Sequence, residues 1–395
     1  MNAEGGRRAG RPRSRVLAVI GDANDPGAWS GIPYHFLNAA KARGLIQRGV
    51  DLQPRGTEWR VRRLLWNAAR ALTGDRPGGY QFSRGFLERL WAPHLSEIQG
   101  CEVVNHFQLS APSVVSLAER SQLTLVPYID MTLSELFEDY ALGAKIGRRV
   151  ASAALELEAS GYRAARRIVA MSRRSADILQ RKYAIPKERV RVVVPGANLD
   201  EAILARYGER PVSRSSEFIV GYIGKDSIRK GLYRLARAVA LLRSEGTRVR
   251  LRVIGHCPDD LREADGVEAT GFLDKRGDPE GFISALAQCS LGCLPSYAEA
   301  LGIALLEFLR LGIPVVGTRV GGIPDAVPDG AGVLVDADIE PRGLADVIGK
   351  LCADEDAYAA LCQGAAAARS WATWERAVSD FARAISAGAR ERTTT

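Results

Sequence analysis

The sequence predicts an α/β protein built from two doubly wound domains that face each other across a cleft. Three observations predict it. Short β-branched runs alternate with helical patterns from end to end, which is the mark of βαβ units on a parallel sheet. The rhythm stops at a polar stretch, RYGERPVSRSSEF (206–218), and then restarts. The length, 395 residues, is too great for one core at roughly 150 residues per domain.

The first set of runs is RVLAVIG (15–21), CEVVNHF (101–107), LTLVPYID (123–130), RIVAMS (167–172) and VRVVVPG (190–196). The second is FIVGYIG (218–224), VRLRVIG (249–255), VEATGF (267–272), SLGCLPS (290–296), PVVGTRV (314–320) and GVLVDA (332–337). These runs are continuously apolar, as parallel strands covered on both faces are. Helical patterns lie between them, such as KGLYRLARAVALLRSEG (230–246), and one long pattern over 355–387 carries Trp371 and Trp374. The expected organisation is a disordered basic tail (1–14), an N-terminal Rossmann-like domain (15–205) and a linker (206–217). A C-terminal Rossmann-like domain (218–370), a helix returning to the N-terminal domain (371–388) and a disordered tail (389–395) follow. Ligands of such sheets sit beyond the carboxyl ends of the strands, so the cleft is the place to look for chemistry.

Composition narrows the classes. Apolar residues are 46% and charged residues 25%, the mix of a globular protein rather than a disordered or collagen-like one. No run of about 20 apolar residues marks a membrane span; the best region, 300–317, contains Glu307, Arg310 and Pro314. The N-terminus lacks the apolar core of a secretory signal. Six scattered Cys form no CxxC pair, so they read as reduced thiols of a cytoplasmic protein. The net charge is +8. Residues 1–15 hold five Arg and one Glu, and residues 51–100 hold eight Arg and five acids. The excess therefore sits on a tail and one internal stretch, which does not argue for nucleic-acid binding.

Three stretches carry the chemistry. In SLGCLPSYAEALGIALLEFLRLG (290–312) a strand ends at Pro295-Ser296, a loop carries Glu299, and a helix is expected from near Leu301 to the Gly312 stop. Glu299 is expected at that helix's N-terminus and Glu307 in its second turn. A helix N-terminus offers free N–H groups to phosphate or sugar oxygens, and a carboxylate can accept two sugar hydroxyls. The alternative reading is a dipole partner and a surface charge, but Glu307 sits among Leu305, Leu306, Phe308 and Leu309, where a lone carboxylate needs a partner. In FIVGYIGKDSIRKG (218–231) a strand enters a glycine turn with Lys225, Arg229 and Lys230 before Gly231 opens a helix. Three cations there make an anion site, or an ordinary basic loop. In GDANDPGAWSGIPYH (21–35), Gly21, Gly27 and Gly31 let backbone approach a ligand, without the GxGxxG of a nicotinamide site.

These stretches, in this order, resemble the retaining glycosyltransferases of the GT-B fold, family 4. PSYAEALGIALLE fits the family's P-S-x-x-E-x-x-G-x-x-x-x-E pattern, LGIPVVGTRVGGIPDAV fits the segment that follows, and GYIGKDSIRKG fits its phosphate loop. AMSRRSADILQRKYAIPKERVRVVVPGANLD resembles the run leading to the interdomain crossing. WSGIPYHFLNAA and YIDMTLSELFEDY resemble N-terminal loops of one branch. The resemblance covers roughly 15–385. It implies a nucleoside-diphosphate sugar donor and a glycan or lipid-linked acceptor. Glu307 would hold the donor ribose, and Glu299 would contact the donor sugar. Ala300, Leu301 and Gly302 would meet sugar and phosphate oxygens through backbone N–H groups. Lys225 and Lys230, beside Gly224, would neutralise the leaving diphosphate, with Gly31 approaching it from the other domain. His106, Asp130 and Thr132 are acceptor-side candidates. No cofactor and no metal are expected, because fixed cations where charge develops are electrostatic catalysis; Asp336–Asp338 reads as a surface turn. Departures are Lys225 where the family usually has Arg, Leu301 where an aromatic is common, and Asp325 where Glu is. Alternatives are another sugar-nucleotide enzyme on this fold, such as an epimerase or phosphorylase, or a binding protein without turnover.

One segment points elsewhere. In EWRVRRLLWNAARAL (58–72), Val61, Leu64, Leu65, Ala68 and Leu72 share one helical face. Arg60, Arg63, Asn67 and Arg70 lie opposite, with Trp59 and Trp66 at the borders. The apolar face is expected either to pack on the domain or to dock on an anionic bilayer surface from the cytoplasmic side.

Overall fold

The computed structural model describes residues 14–54, 56–207 and 217–386. The N-terminal sheet contains β1 (Arg15–Ile20), β2 (Arg48–Leu52), β3 (Glu102–Asn105), β4 (Thr124–Ile129), β5 (Ile168–Ala170) and β6 (Val190–Val192). The C-terminal sheet contains β7 (Phe218–Gly224), β8 (Val249–Gly255), β9 (Val267–Gly271), β10 (Leu291–Leu294), β11 (Val315–Thr318) and β12 (Gly332–Val335). Their orders are β2-β1-β3-β4-β5-β6 and β12-β11-β10-β7-β8-β9. Every pair is parallel, so the two sheets share one doubly wound plan.

Helices of the first half are α1 (Ile32–Ala42), α2 (Glu58–Leu72), α3 (Arg84–Trp91), α4 (Leu95–Ile98), α5 (Pro112–Glu119), α6 (Leu133–Asp139), α7 (Arg148–Ala164), α8 (Arg173–Arg181) and α9 (Glu201–Tyr207). Those of the second are α10 (Leu232–Ser244), α11 (Asp259–Arg262), α12 (Pro279–Ala287), α13 (Ile303–Arg310), α14 (Ile323–Ala326), α15 (Pro341–Ala353), α16 (Glu355–Trp371) and α17 (Trp374–Ser386). The expected basic tail, apart from Ser14, and the expected C-terminal tail lie outside the described residues, as does 208–216 of the linker.

β2 has no counterpart among the runs read from the sequence. Its residues, RGVDL, hold only two apolar side chains at an edge. The strand packs because Gly49 lies close to Ala23, where a Cβ would stand 2.9 Å from the alanine methyl.

The long pattern over 355–387 is two helices rather than one. The break falls at Ala372–Thr373, for two reasons. The Ala372 carbonyl accepts from the Ala197 amide across the interdomain crossing, at 2.9 Å. Thr373 Oγ1 then accepts from the Arg376 amide, 3.2 Å, which caps the second helix. At the same crossing a Cβ on residue 196 would stand 2.3 Å from the Trp374 nitrogen, so glycine is required there. Beyond the break, α17 packs on the N-terminal half: Phe381 lies 5.0 Å from Phe36 and 5.1 Å from Tyr128 between ring centroids.

Candidate active site

The carboxyl ends of β7 and β8, the loop after β9, the first turns of α13 and the loop after β1 enclose a cleft pocket of about 340 Å³. Pro26, Gly27 and Ser30 line one wall, and Lys225, Lys230, Lys275 and Glu307 line the other. Sheet order explains the meeting: β7, β8 and β9 lie side by side, and β10, which leads to α13, flanks β7 on its other side, so the segments that follow these strands converge.

Glu307 occupies the fifth position of α13 and is 1% exposed. Its Oε1 accepts a short hydrogen bond from Lys275 Nζ. Its Oε2 is buried and has no hydrogen-bond partner among the described residues. Burial pushes its pKa above the ordinary carboxylate value, and the Lys275 ammonium opposes that shift. A buried carboxylate with one oxygen spare is equipped to accept from a ligand hydroxyl.

Glu299 faces the cations of the phosphate-loop stretch. Its Oε2 lies 3.1 Å from Lys230 Nζ and 3.3 Å from Arg229 Nη1. Arg229 also donates to the Ala298 carbonyl at 2.7 Å and lies 4.7 Å from the centre of the Tyr140 ring of the other domain. Lys225 stands 4.8 Å from the Phe272 ring. The expected helix start near Leu301 is displaced: Gly302, at φ 85°, is the N-cap and α13 begins at Ile303. Glu299 therefore sits in the loop before the helix, not at its N-terminus. Ala300 and Leu301 belong to the same loop, which two glycines from the next loop hold in place. A Cβ on Gly321 would stand 1.5 Å from the Glu299 carbonyl oxygen, and the Gly322 amide donates to the Ala300 carbonyl at 2.9 Å.

Gly231 similarly fixes the cations. It has φ 73°, and a Cβ there would lie 2.0 Å from the Pro295 carbonyl oxygen. The Tyr297 amide donates to the Arg229 carbonyl at 2.8 Å, so the two loops move as one. Gly224 lies against the Lys230 side chain, 2.8 Å from its Cδ to a Cβ position.

The opposing wall is strained. Trp29 and Ser30 adopt φ of 49° and 60°, and Gly31 has φ 91°. Non-glycine residues in this region cost roughly 1–3 kcal/mol each and persist where the surroundings enforce them. The enforcement is visible: Trp29 Nε1 donates to the Ile20 carbonyl at 2.7 Å, and Asn198 Nδ2 donates to the Ser30 carbonyl at 2.7 Å. Trp374 Nε1 in turn donates to Asn198 Oδ1 at 3.0 Å. The first loop is thus tied to α17.

The acceptor-side candidates differ among themselves. His106 is buried, and its Nδ1 pairs with the Tyr128 carbonyl oxygen at 3.0 Å. Burial lowers its pKa to about 4, so the imidazole is neutral. Asp130 is half-buried at the end of β4. Its pKa is raised to about 6, first by desolvation and further by Glu135 and Glu299. Thr132 is fully buried, and its hydroxyl is spent on the Glu135 capping box of α6. Thr132 shapes the loop rather than facing the cleft. Asp336 and Asp338 are exposed after β12.

Sequence reasoning passed over Lys275, the group nearest Glu307. The signal was a cation in the DKRGD turn after β9, without a helix or glycine pattern to mark it. Tyr140 closes the YIDMTLSELFEDY stretch, but only the fold sets it against Arg229.

Helix α2 forms over the expected residues but faces the other way from a packed amphipathic helix. Val61, Leu64, Leu65 and Leu72 are 54%, 66%, 65% and 88% exposed. Trp66, at the border, and Asn67 tie the helix to the segment that follows it: Trp66 Nε1 donates to the Gly78 carbonyl at 2.8 Å, and Asn67 Oδ1 accepts from the Gly78 amide at 2.9 Å. Arg70 pairs with Asp75 at 2.9 Å. The expectation that the apolar face packs on the domain is therefore not met. Among the described residues, no helix is long and apolar enough to cross a membrane.

Residues 217–354 match the family model described as "Glycosyl transferases group 1". Curated relatives include the D-inositol 3-phosphate glycosyltransferases of Corynebacterium urealyticum, 30% identical over 220 residues, and of Nocardia farcinica, 32% identical over 209 residues. The first alignment covers 51% of each chain, the second 48% of this chain and 46% of the relative. The chain thus spans about half the length of the curated relatives it matches. Among solved structures, the sucrose-phosphate synthase of Thermosynechococcus elongatus superposes with a TM-score of 0.68 at 17% identity, over 94% of this chain and 98% of that one. HepE of Anabaena, solved with UDP and glucose, superposes with a TM-score of 0.61 at 18% identity, over 95% and 100%. At such identity the likeness speaks for the fold alone. The likeness to the group 1 glycosyl transferases thus lies in residues 217–354, within the C-terminal domain, and the chain as a whole has the GT-B fold.

Proposed function

We propose that the protein is a retaining glycosyltransferase that moves a hexosyl group from a nucleoside-diphosphate sugar to a glycan or lipid-linked acceptor, as in polysaccharide assembly. The observation that carries the reading is the cleft pocket. One carboxylate with a spare buried oxygen, Glu307, shares about 340 Å³ with Lys225, Arg229 and Lys230. A ribose with a diphosphate is the ligand class that wants both ends of that arrangement.

In this reading the ribose hydroxyls donate to Glu307. Lys225, Lys230 and Arg229 stabilise the charge that grows on the departing diphosphate, where preorganised donors do most for the barrier. No metal is assigned a part, since these three cations face the phosphate position. Glu299, held between Arg229 and Lys230, aligns the donor sugar. Backbone N–H groups around Ala300, Leu301 and Gly302 meet its oxygens, and Gly31 lets the opposing loop close over the diphosphate. The acceptor enters from the N-terminal side past His106 and Asp130, and attack on the same face of the sugar gives retention. The solved HepE complex with UDP and glucose and the glycosyltransferase relatives support the donor class. The outward apolar stripe of α2 supports peripheral docking on an anionic membrane from the cytoplasm.

A thermal-shift panel of UDP-, GDP- and ADP-sugars tests the reading. Binding to the native state alone stabilises by about 2.7 kcal/mol at a hundredfold excess over Kd. One donor should raise Tm and be consumed with an anomerically retained product. No response to any nucleotide sugar would reject it.

A further inference from the structure

Beside α2 lies a groove of about 930 Å³, larger than the cleft pocket and separate from it. It runs between α2, α3, α5 and α7. Leu65, Trp66, Phe82, Val115, Val150 and Leu157 line it. Arg62, Arg70, Arg84, Arg89 and Arg149 stand around it, against two acids, Glu119 and Glu156. One of those acids is already engaged, since Glu156 pairs with Arg163 at 2.6 Å. Arg84 and Arg149 make no ion pair among the described residues, whereas Arg62 and Arg70 pair with Glu58 and Asp75. The rim therefore has cationic charge to spare.

Leu65 connects two features. It lines the groove and is 65% exposed as part of the outward stripe with Val61, Leu64 and Leu72. An apolar surface of this kind marks an interaction site, and the groove's size is that of a ligand site. An apolar groove, open along an exposed apolar stripe and rimmed by arginines, matches an amphiphile with a hydrocarbon chain and an anionic head. Arginine's planar fork suits phosphate oxygens.

We infer that the groove between α2, α3, α5 and α7 takes one acyl chain of an anionic phospholipid from the bilayer surface, with the lipid phosphate at Arg84 and Arg149. The inference rests on the docking half of the proposed function and adds a stoichiometric lipid site to it. Docking would then be a defined complex rather than diffuse attraction, and the protein would be oriented on the surface.

The test uses the full chain and brominated-chain lysophosphatidylglycerol below its micellar concentration, read as quenching of tryptophan fluorescence. Trp66 lines the groove and is the reporter. Saturable quenching at one lipid per chain is expected, and Trp66→Phe should remove most of it. Ala153→Phe, at an exposed groove-lining position, and the pair Arg84→Glu/Arg149→Glu should each weaken binding at least about tenfold, or ~1.4 kcal/mol. Far-UV circular dichroism and Tm confirm that each variant folds; if Ala153→Phe does not, the arginine pair decides. Glycerol phosphate and inorganic phosphate should not displace the lipid, and lysophosphatidylcholine should bind more weakly. Equal quenching in the variants, equal binding of the zwitterionic lipid, or displacement by phosphate alone would overturn the assignment. So would a dimer whose dissociation frees the groove. Flotation on anionic vesicles reads the docking proposal separately: flotation with unaltered quenching in Ala153→Phe would leave docking standing and remove the groove.

Discussion

Replacing Lys275 by Met tests the electrostatics of the cleft most directly. In the native protein the Lys275 ammonium is bonded to Glu307, whose side chain is 1% exposed. Two unit charges about 4 Å apart attract by about 4 kcal/mol at an effective dielectric of 20, and stripping one partner from a buried pair costs about 3–5 kcal/mol. Glu307 has an escape, which is to take up a proton. Its pKa is already raised by burial, with Lys275 holding it down, so removing the lysine raises it further. In the proposed function Glu307 accepts from two ribose hydroxyls, and protonation would weaken each bond by about 1–1.5 kcal/mol, the excess of a charged over a neutral hydrogen bond. The expected result is a KM for the nucleotide sugar raised about 10- to 100-fold near neutral pH, since each 1.36 kcal/mol is a decade. The loss should shrink as pH rises and Glu307 ionises, with kcat changed far less. Glu307→Gln, which cannot ionise, should show the weak binding without that pH recovery. Initial-rate kinetics from pH 6 to 9 measure all three. An unchanged KM in Lys275→Met would refute the pairing argument. A tightened KM would show that Lys275 only obstructs the pocket.

Other outcomes follow from the same geometry. Asp130 titrates near 6 because of burial and the neighbouring acids. If its carboxylate is needed, the transfer rate should fall below about pH 6, and Asp130→Asn should be slow and lack that acidic limb in a rate–pH profile. Gly231→Ala places a methyl against the Pro295 carbonyl at a φ of 73°; it should lose roughly 1–3 kcal/mol of stability, read as a lower Tm, and raise the donor KM. Glu158 is fully buried, bonded to Tyr162, Tyr183 and the Leu133 amide, and burial raises its pKa to about 8. The folded state then binds more protons than the unfolded one between about pH 4.5 and 8. The stability this group contributes is present below that window and lost as pH rises through 8. Urea melts at pH 5, 7 and 9 should show the decline, and Glu158→Gln should flatten it; a stability that rises over this window would contradict the assignment.

Legibility in the sequence followed how local the physics was. Buried parallel strands announce themselves because both faces must be apolar, and eleven of the runs read from the sequence overlap observed strands, β7 and β8 over the same residues. β2 escaped because an edge strand with Gly49 and Asp51 needs no such run. The carboxylates and lysines of the cleft were legible because glycine turns and a buried charge among leucines leave local marks. Lys275 left none: its meaning comes from Glu307, 32 residues away in sequence. The tie between Asn198, Ser30 and Trp374 was invisible for the same reason.

Helix α2 sharpens this. Its periodicity gave its length and its two faces correctly, and still could not say which face meets the domain. Ordinarily the hydrophobic effect decides that: four large side chains turned to water forgo burial worth about 1.5–3 kcal/mol each. Here Trp66, Asn67 and Arg70 decide it instead, through specific bonds to the Gly78 backbone and Asp75. A handful of hydrogen bonds at roughly 1 kcal/mol each does not outweigh that burial as a general rule. In the docking proposed above, the stripe has another apolar phase to enter, an anionic bilayer surface whose charge the neighbouring arginines complement.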